Sequence, residues 1–356
     1  MKVLITAPSL DENANVSGIS TLVRQIIKQG SAKFYHFQAG RTDDEKGKVG
    51  WIFKQILLAP RFYREITQKE INLVHINTAL NPLSIARDFA LVKTAQITNR
   101  KILLHLHGGE FLAREFETNW LKNLAGKMLR GADAVVVLSE LEKQIIERRW
   151  RGLNVRVLEN AVALDEALER ESECSVKTII FLGRLHESKG LYEIIEACRV
   201  LKDENFRFNF RCFGAGALKD FFIEQMTKIL GERFFYGGVV SGAEKWKQLA
   251  ASDIFLLPSR YGEGLPIAML EAMAARCLII ASDVASVRAV IENGENGFTV
   301  EPYNSAQIVL KLKNLLSGKV DWKRLQNNAR ATVGEKFAMT DYIRKLEKLY
   351  GEITGL

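Results

Sequence analysis

Residues 258–275 read PSRYGEGLPIAMLEAMAA, a glycine-containing loop that runs directly into an apolar segment. Before this loop, residues 253–257 read DIFLL, an apolar run that predicts a strand buried on both faces. Pro266 suits the first position of a helix, because its missing N–H would be unpaired there anyway. A strand, a loop and a buried helix in this order are typical of an α/β sheet, which binds ligands where its strands end.

Two carboxylates lie in this segment, Glu263 in the glycine loop and Glu271 in the apolar helix. A carboxylate in a helix that is apolar on every face needs hydrogen-bond donors or a cation near it. For an isolated glutamate, a structural ion pair is the simpler interpretation. Glu271 is not isolated, because Glu263 lies eight residues earlier at the carboxyl end of a strand, so we favour a binding site. The free backbone N–H groups of the helix start suit a phosphate or sugar oxygen.

The composition is that of an ordinary globular protein. With 356 residues, 47% of them hydrophobic and 26% charged, the chain predicts two domains, each with its own core. No apolar run is long enough to span a bilayer, and the N-terminal one is too short for a signal peptide. The four cysteines have no paired spacing, so neither a zinc site nor a disulfide framework is indicated. We therefore expect a cytoplasmic protein with reduced thiols.

Positive charge is concentrated in the first half of the chain. Up to Asp165 there are 24 Lys and Arg against 17 Asp and Glu, which is +7 of the total of +8. Such an excess suits nucleic acid, an acidic membrane surface or an anionic substrate. Nucleic acid is the weakest of these, because no recognition helix, RNA-binding strand motif or zinc spacing is present. Residues 51–64 mix aromatic, aliphatic and basic side chains, which fits a helix in a membrane interface and equally a core-facing helix with a basic solvated side.

Strands and helices alternate along the whole chain, which predicts βαβ units and parallel sheets. We predict an α/β protein with two doubly wound domains facing across a cleft. The predicted bounds are residues 1–163 for the first domain, 164–176 for an acidic linker, 177–339 for the second domain and 340–356 for a C-terminal helix that can pack back on the first domain. Ser20 is the predicted N-cap of the first helix.

Two cations follow the first strand of the second domain. Arg184 stands directly after Gly183, and Lys189 stands directly before Gly190. An arginine fork and a lysine point charge together suit the two phosphates of a nucleotide diphosphate. Taken alone, the pair is equally well interpreted as solvated surface charge. The loop is not a P-loop, because it lacks the glycine spacing and the terminal Gly-Lys-Ser/Thr.

With these residues together, the chain resembles family 4 of the retaining glycosyltransferases. These enzymes share the GT-B architecture, in which two Rossmann-like domains face each other across a nucleotide-sugar cleft. The strongest mark of the family is the E-x7-E spacing of Glu263 and Glu271. The other matching motifs are Ser17-Gly18, His107-Gly108, Asn160-Ala161-Val162, Gly183-Arg184, Lys189-Gly190, Asp253, Pro258-Ser259, Gly264-Leu265-Pro266 and Gly294-Glu295-Asn296-Gly297-Phe298. The resemblance covers nearly the whole chain.

The resemblance implies a role for each charged residue. Arg184 and Lys189 would bind the donor's diphosphate, Glu271 the ribose hydroxyls and Glu263 the hydroxyls of the transferred sugar. The implied mechanism is front-face substitution with retention, in which the departing diphosphate oxygen accepts the proton of the acceptor hydroxyl. Arg184 and Lys189 would stabilise the charge that grows on this leaving group, so no metal and no cofactor is required.

Backbone groups and one histidine complete the implied site. Backbone amides at Gly264 and Leu265 would support the donor, and Gly18 would let the first domain's backbone approach the diphosphate. His107 would lie beside the anomeric carbon and bond the sugar's primary hydroxyl. Without the other motifs, a lone histidine there is better interpreted as a hydrogen-bonded packing residue. His105, on the same face of the strand, is interpreted as packing.

The chain departs from the family's pattern beside the implied sugar pocket. Arg288-Ala289 stands where the family usually has Pro-Glu, Ala285-Ser286 replaces a Gly-Gly turn, and Ser17 replaces a glycine. Arg288 could meet a phosphate or an acidic sugar, and it could equally be a solvent-facing helix residue.

We therefore expect a hexosyltransferase that uses a nucleotide diphosphate sugar, with UDP-glucose as the preferred donor. The expected acceptor is a hydroxyl of a glycan or lipid-linked glycan in bacterial surface polysaccharide synthesis, reached by peripheral contact with the acidic inner face of the cytoplasmic membrane. Two alternatives stay open. A GT-B UDP-N-acetylglucosamine epimerase would normally show several acid/base carboxylates and histidines around the sugar. A non-catalytic nucleotide-sugar-binding protein would keep Arg184 and Lys189 yet show no transfer.

Overall fold

The structure is a computed structural model that describes residues 1–12, 17–40, 57–116, 118–168, 176–261 and 263–355. Its contacts divide the chain into two units. Unit 1 comprises Met1–Asn160 and Met339–Leu356, and unit 2 comprises Ala161–Ala338. The predicted linker begins with the short 3-10 helix Leu164–Glu166, and its residues 169–175 lie outside the described part of the chain.

Unit 1 is built on a six-stranded sheet in which every pair of neighbouring strands is parallel. The strand order is β2-β1-β3-β4-β5-β6, with β1 Lys2–Ala7, β2 Lys33–Gln38, β3 Leu73–Thr78, β4 Lys101–Leu106, β5 Ala134–Val137 and β6 Val155–Val157. The four central strands are buried almost throughout, because helices cover both faces of the sheet. This burial is why their sequences read as apolar runs without alternation.

Helices connect these strands. They are α1 Gly18–Gln29, α2 Leu58–Gln68, α3 Pro82–Ile97, the single turn α4 Glu110–Ala113, α5 Asn119–Arg130 and α6 Glu140–Arg149. The N-cap of α1 is Ser17 and not Ser20 as predicted. The Ser17 hydroxyl accepts from the Ser20 N–H at 3.3 Å, so Ser20 lies inside the first turn.

Helix α2 is the described part of the aromatic and basic segment, of which residues 51–56 lie outside the described ranges. Leu58, Phe62 and Ile66 form a buried stripe at four-residue spacing, while Arg61 and Arg64 are exposed. This half of the segment is therefore a core-facing helix with a basic solvated side.

Unit 2 has a second parallel sheet of six strands. The strand order is β12-β11-β10-β7-β8-β9, with β7 Lys177–Leu182, β8 Phe208–Phe213, β9 Phe234–Tyr236, β10 Ile254–Leu257, β11 Leu278–Ser282 and β12 Phe298–Val300. The chain starts at β7, proceeds to one edge, and returns to β10 before it proceeds to the other. The order of strands thus reverses between β7 and β10, and in open α/β sheets a ligand crevice lies at such a point.

The helices of unit 2 are α7 Leu191–Asp203, α8 Lys219–Leu230, α9 Gly242–Ala250, α10 Ile267–Ala274, α11 Ser305–Leu316 and α12 Trp322–Lys336. Helix α10 is buried on nearly every side, as its composition predicted. Pro266 is its N-cap rather than its first helical residue. No helix within the described ranges has both the length and the apolar character needed to cross a membrane.

The C-terminal helix α13, Met339–Thr354, belongs to unit 1 although it follows unit 2 in the chain. It packs against α1 and β4. Tyr350 is fully buried, and its hydroxyl lies 2.7 Å from Nδ1 of His75 on β3. Glu347 accepts hydrogen bonds from the backbone and the hydroxyl of Ser31, which precedes β2. The two sheets with their flanking helices confirm the prediction of a doubly wound α/β protein.

Candidate active site

The candidate site of unit 2 lies where β7 and β10 end. These strands are parallel neighbours, so the loops that follow them leave the same edge of the sheet. The backbone N–H of Arg260 donates to the carbonyl of Ser188 at 2.7 Å and ties the two loops together. The cations predicted after β7 and the acids predicted after β10 therefore share one edge.

Gly190 is required at the closest approach of these loops. Its φ of +71° lies in the left-handed region, which side chains rarely adopt. A Cβ atom on this residue would lie 2.0 Å from the carbonyl oxygen of Pro258. The glycine after Lys189 thus permits the contact that brings Lys189 beside the loop of Glu263.

Glu263 is the centre of this contact. Lys189 Nζ forms an ion pair with Glu263 Oε1, and the Ser259 hydroxyl donates to the same oxygen at 2.6 Å. Burial raises the pKa of Glu263, but the charge of Lys189, the two hydrogen bonds and the charge of Arg184 outweigh it, so the pKa lies below its ordinary value. The carboxylate is therefore ionised at neutral pH, and it holds the ammonium group in the loop.

Arg184 and the start of α10 also lie at the carboxyl edge of the unit 2 sheet. Arg184 is exposed, and among the described residues no acid forms an ion pair with it. Leu265 is buried and Gly264 is half-buried between Glu263 and the helix, while Gly262 lies outside the described residues. The structure thus brings Arg184, Lys189 and Glu263 together, but only Lys189 is in contact with the acid.

Glu271 has a different partner. It lies in the middle of α10 and is only 4% exposed. Its Oε1 forms an ion pair with Nζ of Lys245, which is itself buried in α9, at a distance of 2.5 Å. The structure thus gives Glu271 the structural ion pair, and its binding of a ligand stays a prediction.

Arg260 anchors the loop of Glu263 to helix α7. Nη2 and Nε of Arg260 donate to Oε1 of Glu193 on α7 at 2.7 and 2.9 Å. The guanidinium lies over the rings of Tyr192 and Tyr303, with its Cζ 5.1 and 4.9 Å from their centroids. This half-buried pair fixes the loop after β10 to the helix that follows the loop of Lys189.

In unit 1, His107 follows β4 at the carboxyl edge of the sheet. Its Nε2 lies 2.7 Å from Oδ1 of Asn77, and Nδ2 of Asn77 donates to the Thr6 carbonyl at 2.8 Å. Because the amide nitrogen of Asn77 serves Thr6, its oxygen accepts from His107, so Nε2 carries the proton and Nδ1 is an acceptor. Burial lowers the pKa of His107 to about 3, so the ring is neutral under physiological conditions.

Two further histidines lie beneath His107. The ring of His105 packs on that of His107 with centroids 4.1 Å apart, and Nδ1 of His105 lies 3.3 Å from Nε2 of His75. His105 and His75 are fully buried, as expected for packing residues. Burial, with the nearby histidines, lowers the pKa of His75 to about 3 and that of His105 well below its ordinary value.

Gly18 is exposed at the start of α1, at the same edge of the sheet as His107. Its φ does not lie in the left-handed region. The absence of a side chain, rather than an unusual backbone conformation, is therefore what this glycine offers to a ligand.

Arg288, where the chain departs from the family's pattern, and the motif residue Asp253 both have structural partners. Arg288 is 72% exposed and forms two hydrogen bonds of 2.7 Å with the carboxylate of Asp283, which agrees with a solvent-facing residue. Asp253 is buried, accepts from the Thr178 N–H at 2.8 Å and pairs with Lys177 at 3.3 Å. Asp253 thus ties the start of β10 to β7.

Sequence reasoning missed Lys245, Asn77 and Glu193. For Lys245 a signal was present: it lies four residues before Leu249, on the buried face of α9 with Trp246. A lysine on the apolar stripe of an amphipathic helix indicates a buried acid nearby. For Asn77 and Glu193 nothing in the local sequence indicated the partner.

Two family models match adjacent parts of the chain. The model described as Glycosyl transferases group 1 matches residues 169–332, and the model described as Glycosyltransferase Family 4 matches residues 44–166. The first match contains every candidate residue of unit 2, and the second contains His107.

Two of the curated relatives are bacterial polysaccharide biosynthesis glycosyltransferases. The amylovoran biosynthesis glycosyltransferase AmsK of Erwinia amylovora is 29% identical over 347 residues, which cover 93% of this chain and 80% of the relative. The putative colanic acid biosynthesis glycosyltransferase WcaL of Salmonella typhimurium is 31% identical over 287 residues, covering 73% and 66%.

Solved structures show the same fold. Sucrose-phosphate synthase from Thermosynechococcus elongatus superposes with a TM-score of 0.83 at 16% identity and 99% coverage of both chains. HepE of Anabaena, solved in complex with UDP-glucose, gives 0.79 at 17% identity, covering 99% of this chain and 100% of that one. The paired acids and cations of unit 2, the two family matches and this shared architecture lead to one conclusion: the chain belongs to the family 4 glycosyltransferases and has the GT-B fold.

Proposed function

We propose that this glycosyltransferase transfers a hexose, with retention of anomeric configuration, from UDP-glucose to a hydroxyl of a glycan or lipid-linked glycan. The observation that carries the proposal is the cluster of Lys189, Glu263 and Ser259, with Arg184 beside it at the carboxyl edge of the unit 2 sheet. It combines cations for a diphosphate with a carboxylate for sugar hydroxyls on two adjacent loops.

The leaving group is stabilised by Arg184 and Lys189. As the bond between the anomeric carbon and the diphosphate oxygen breaks, negative charge grows on that oxygen, and the two cations lower the energy of this state. The same oxygen takes the proton of the acceptor hydroxyl while the new glycosidic bond forms on the same face. In this mechanism the chain itself supplies the positive charge, so we propose that transfer needs no metal ion.

His107 orients the sugar as a neutral hydrogen-bonding group. Since Asn77 holds the proton on Nε2, Nδ1 is the acceptor that would take a hydrogen bond from the primary hydroxyl. The low pKa of the ring means that it does not become a competing cation during the reaction.

Comparisons support the choice of donor and acceptor. HepE, which shares the fold, was solved with UDP-glucose, and AmsK and WcaL are named for the biosynthesis of amylovoran and colanic acid. The exposed Arg61, Tyr63 and Arg64 of α2 give unit 1 a basic and aromatic surface suited to an acidic membrane, so we propose peripheral contact there.

One experiment tests the reaction. The protein is incubated with UDP-glucose, UDP-galactose, UDP-N-acetylglucosamine and GDP-mannose, each with a lipid-linked glycan acceptor and EDTA, and products are followed by NMR. We expect UDP release and a new linkage with the donor's α configuration. A β linkage contradicts retention, and loss of activity with EDTA contradicts metal independence. An epimerised UDP-sugar without UDP release indicates the epimerase, and binding without either product indicates a binding protein.

A further inference from the structure

Lys245 is a buried cation to which the proposed chemistry assigns no role. It lies on the apolar face of α9 with Trp246 and Leu249, and its side chain is 10% exposed. Its Nζ reaches across to Oε1 of Glu271 in α10, whose side chain is 5% exposed. Removing one partner from such a pair leaves an uncompensated buried charge, so the two residues depend on each other.

The two oxygens of Glu271 have different surroundings. Oε1 accepts from Lys245, whereas Oε2 takes no hydrogen bond from a described residue and is not enclosed by the protein. Glu263 repeats this pattern, since Lys189 and Ser259 both contact its Oε1. In each acid of the E-x7-E pair, a lysine thus contacts Oε1, and Oε2 takes no hydrogen bond from a described residue.

Stability alone does not account for the Lys245–Glu271 pair. Glu271 is the one charged residue in α10, and an apolar pair of similar volume in its place would often be neutral or stabilising. A lysine that fixes a carboxylate in one orientation is useful where the second oxygen must meet a ligand at a defined position.

We propose that Lys245 is a positioning residue, which holds Glu271 by one carboxylate oxygen so that the other accepts hydrogen bonds from the ribose hydroxyls of the nucleotide donor. This inference rests on the proposed function, because it needs a nucleotide in the site. Lys245 acts only through Glu271 and takes no part in bond formation.

The test compares UDP with 2′-deoxy-UDP by calorimetry on the full-length protein. A hydrogen bond to an ionised carboxylate predicts that the wild type binds UDP about tenfold more tightly than 2′-deoxy-UDP. In Lys245→Met the carboxylate is no longer held, so the preference should fall to about one while the affinity for 2′-deoxy-UDP changes little. Lys247→Met, an exposed lysine of the same helix, is the matched control and should keep the wild-type preference.

Two further variants keep the test decisive. If Lys245→Met does not fold, Lys245→Gln retains a donor to the carboxylate, and its preference should lie between one and the wild-type value. In Lys245→Met/Glu271→Gln both charges are gone, and its preference should equal that of Glu271→Gln, because the lysine acts through the acid. A folded Lys245 variant that keeps the full preference, with only its melting temperature lowered, overturns the inference. A wild type that binds none of UDP, GDP and ADP contradicts the proposed function instead.

Discussion

Arg184 and Lys189 carry the same charge but are held differently. Lys189 contacts Glu263, whereas the exposed Arg184 has no ion-pair partner among the described residues. We therefore expect Arg184→Met to lower kcat by about 10²–10³, because it removes a positive charge that acts on the leaving group, with little change in melting temperature, because no described ion pair is lost. Steady-state release of UDP measures the effect. The control is Arg199→Met, an exposed arginine of α7 that pairs with Glu196, and an equal loss in this variant would contradict the role of Arg184.

Substitutions of the two acids should affect different kinetic constants. Glu263→Gln is expected to lower kcat by about 10²-fold, because it removes a charged contact to the reacting sugar. Glu271→Gln is expected to raise KM for the donor about tenfold with a smaller effect on kcat, because the ribose is remote from the reacting carbon. Glu196→Gln, on the surface of α7, is the control. Identical changes in both variants would show that the roles are assigned wrongly.

Arg184, Lys189 and Glu263 could be predicted from the sequence to lie at one edge of the sheet, whereas the contacts of the partner residues Lys245, Glu193 and Asn77 could not. Glycines and strand ends mark Arg184, Lys189 and Glu263 in the sequence. The contact of Lys245 with Glu271 joins residues 26 positions apart, and it depends on how α9 packs against α10. Asn77 and His107 likewise meet only because β3 and β4 are neighbours in the sheet. Side-chain partners of this kind are set by packing, on which the local sequence pattern carries little information.

At the level of secondary structure, the approach of two loops can be tested at Gly190. Gly190→Ala combines a left-handed backbone with a clash against Pro258, and Gly318 has nearly the same φ, +69°, with nothing within 4 Å. We expect Gly318→Ala to lower the free energy of unfolding by about 1 kcal/mol and Gly190→Ala to lower it by at least twice as much. Urea denaturation measures both variants. Gly190→Ala should also weaken UDP binding. If both glycine variants were equally destabilised, the loops after β7 and β10 would be able to move apart at little cost in free energy.

The histidines that join β3, β4 and α13 predict sensitivity to acid. The pKa of His75 is about 3 in the folded protein and about 6.5 in an unfolded chain, because burial beside His107 disfavours the charged ring. Between these values the unfolded chain binds the extra proton, so the stability present above pH 6.5 is lost as the pH falls. His75→Gln removes this titration. As the pH is lowered, the free energy of unfolding of the wild type should therefore fall relative to that of His75→Gln by up to about 1.4 kcal/mol per pH unit.

Urea denaturation of the wild type and His75→Gln at pH 7, 6 and 5 measures this difference in the free energy of unfolding. Tyr350 and His105 also contact His75, but both remain in the variant, so the difference between the two proteins isolates one ring. His186→Gln, an exposed histidine of unit 2, serves as the control. A difference that does not change with pH would mean that His75 titrates alike in the folded and the unfolded chain.

Secondary structure was predicted best where burial is complete. The apolar run of β10 and the apolar helix α10 predicted their elements within one or two residues, because an uninterrupted apolar run is stable only where both faces are buried. Boundaries set by polar detail were predicted less well. Helix α1 is capped by Ser17 rather than Ser20, and Pro266 is the N-cap of α10 rather than its first residue, because caps depend on single residues.

At the scale of the whole molecule, the candidate residues divide unequally between the two units. The cations, both acids and Lys245 all belong to unit 2, whereas Gly18 and His107 belong to unit 1. Nucleotide recognition should therefore be a property of unit 2, and transfer should require both units. The chain's return to unit 1 through α13 means that unit 2 is a continuous segment, which can be expressed by itself.

We expect the fragment 161–338 to fold and to bind UDP without transferring sugar. Its two ends are adjacent, since the Val162 N–H donates to the Phe337 carbonyl at 3.0 Å, so both cuts fall beside an intact backbone contact. Calorimetry should give a Kd within about tenfold of the full-length value, because the contacts proposed for unit 1 are few. The fragment with Arg184→Met and Lys189→Met is the control and should bind at least about a hundredfold more weakly. A folded fragment without affinity for UDP would mean that essential donor contacts belong to unit 1. The assignment of nucleotide recognition to unit 2 would then be wrong.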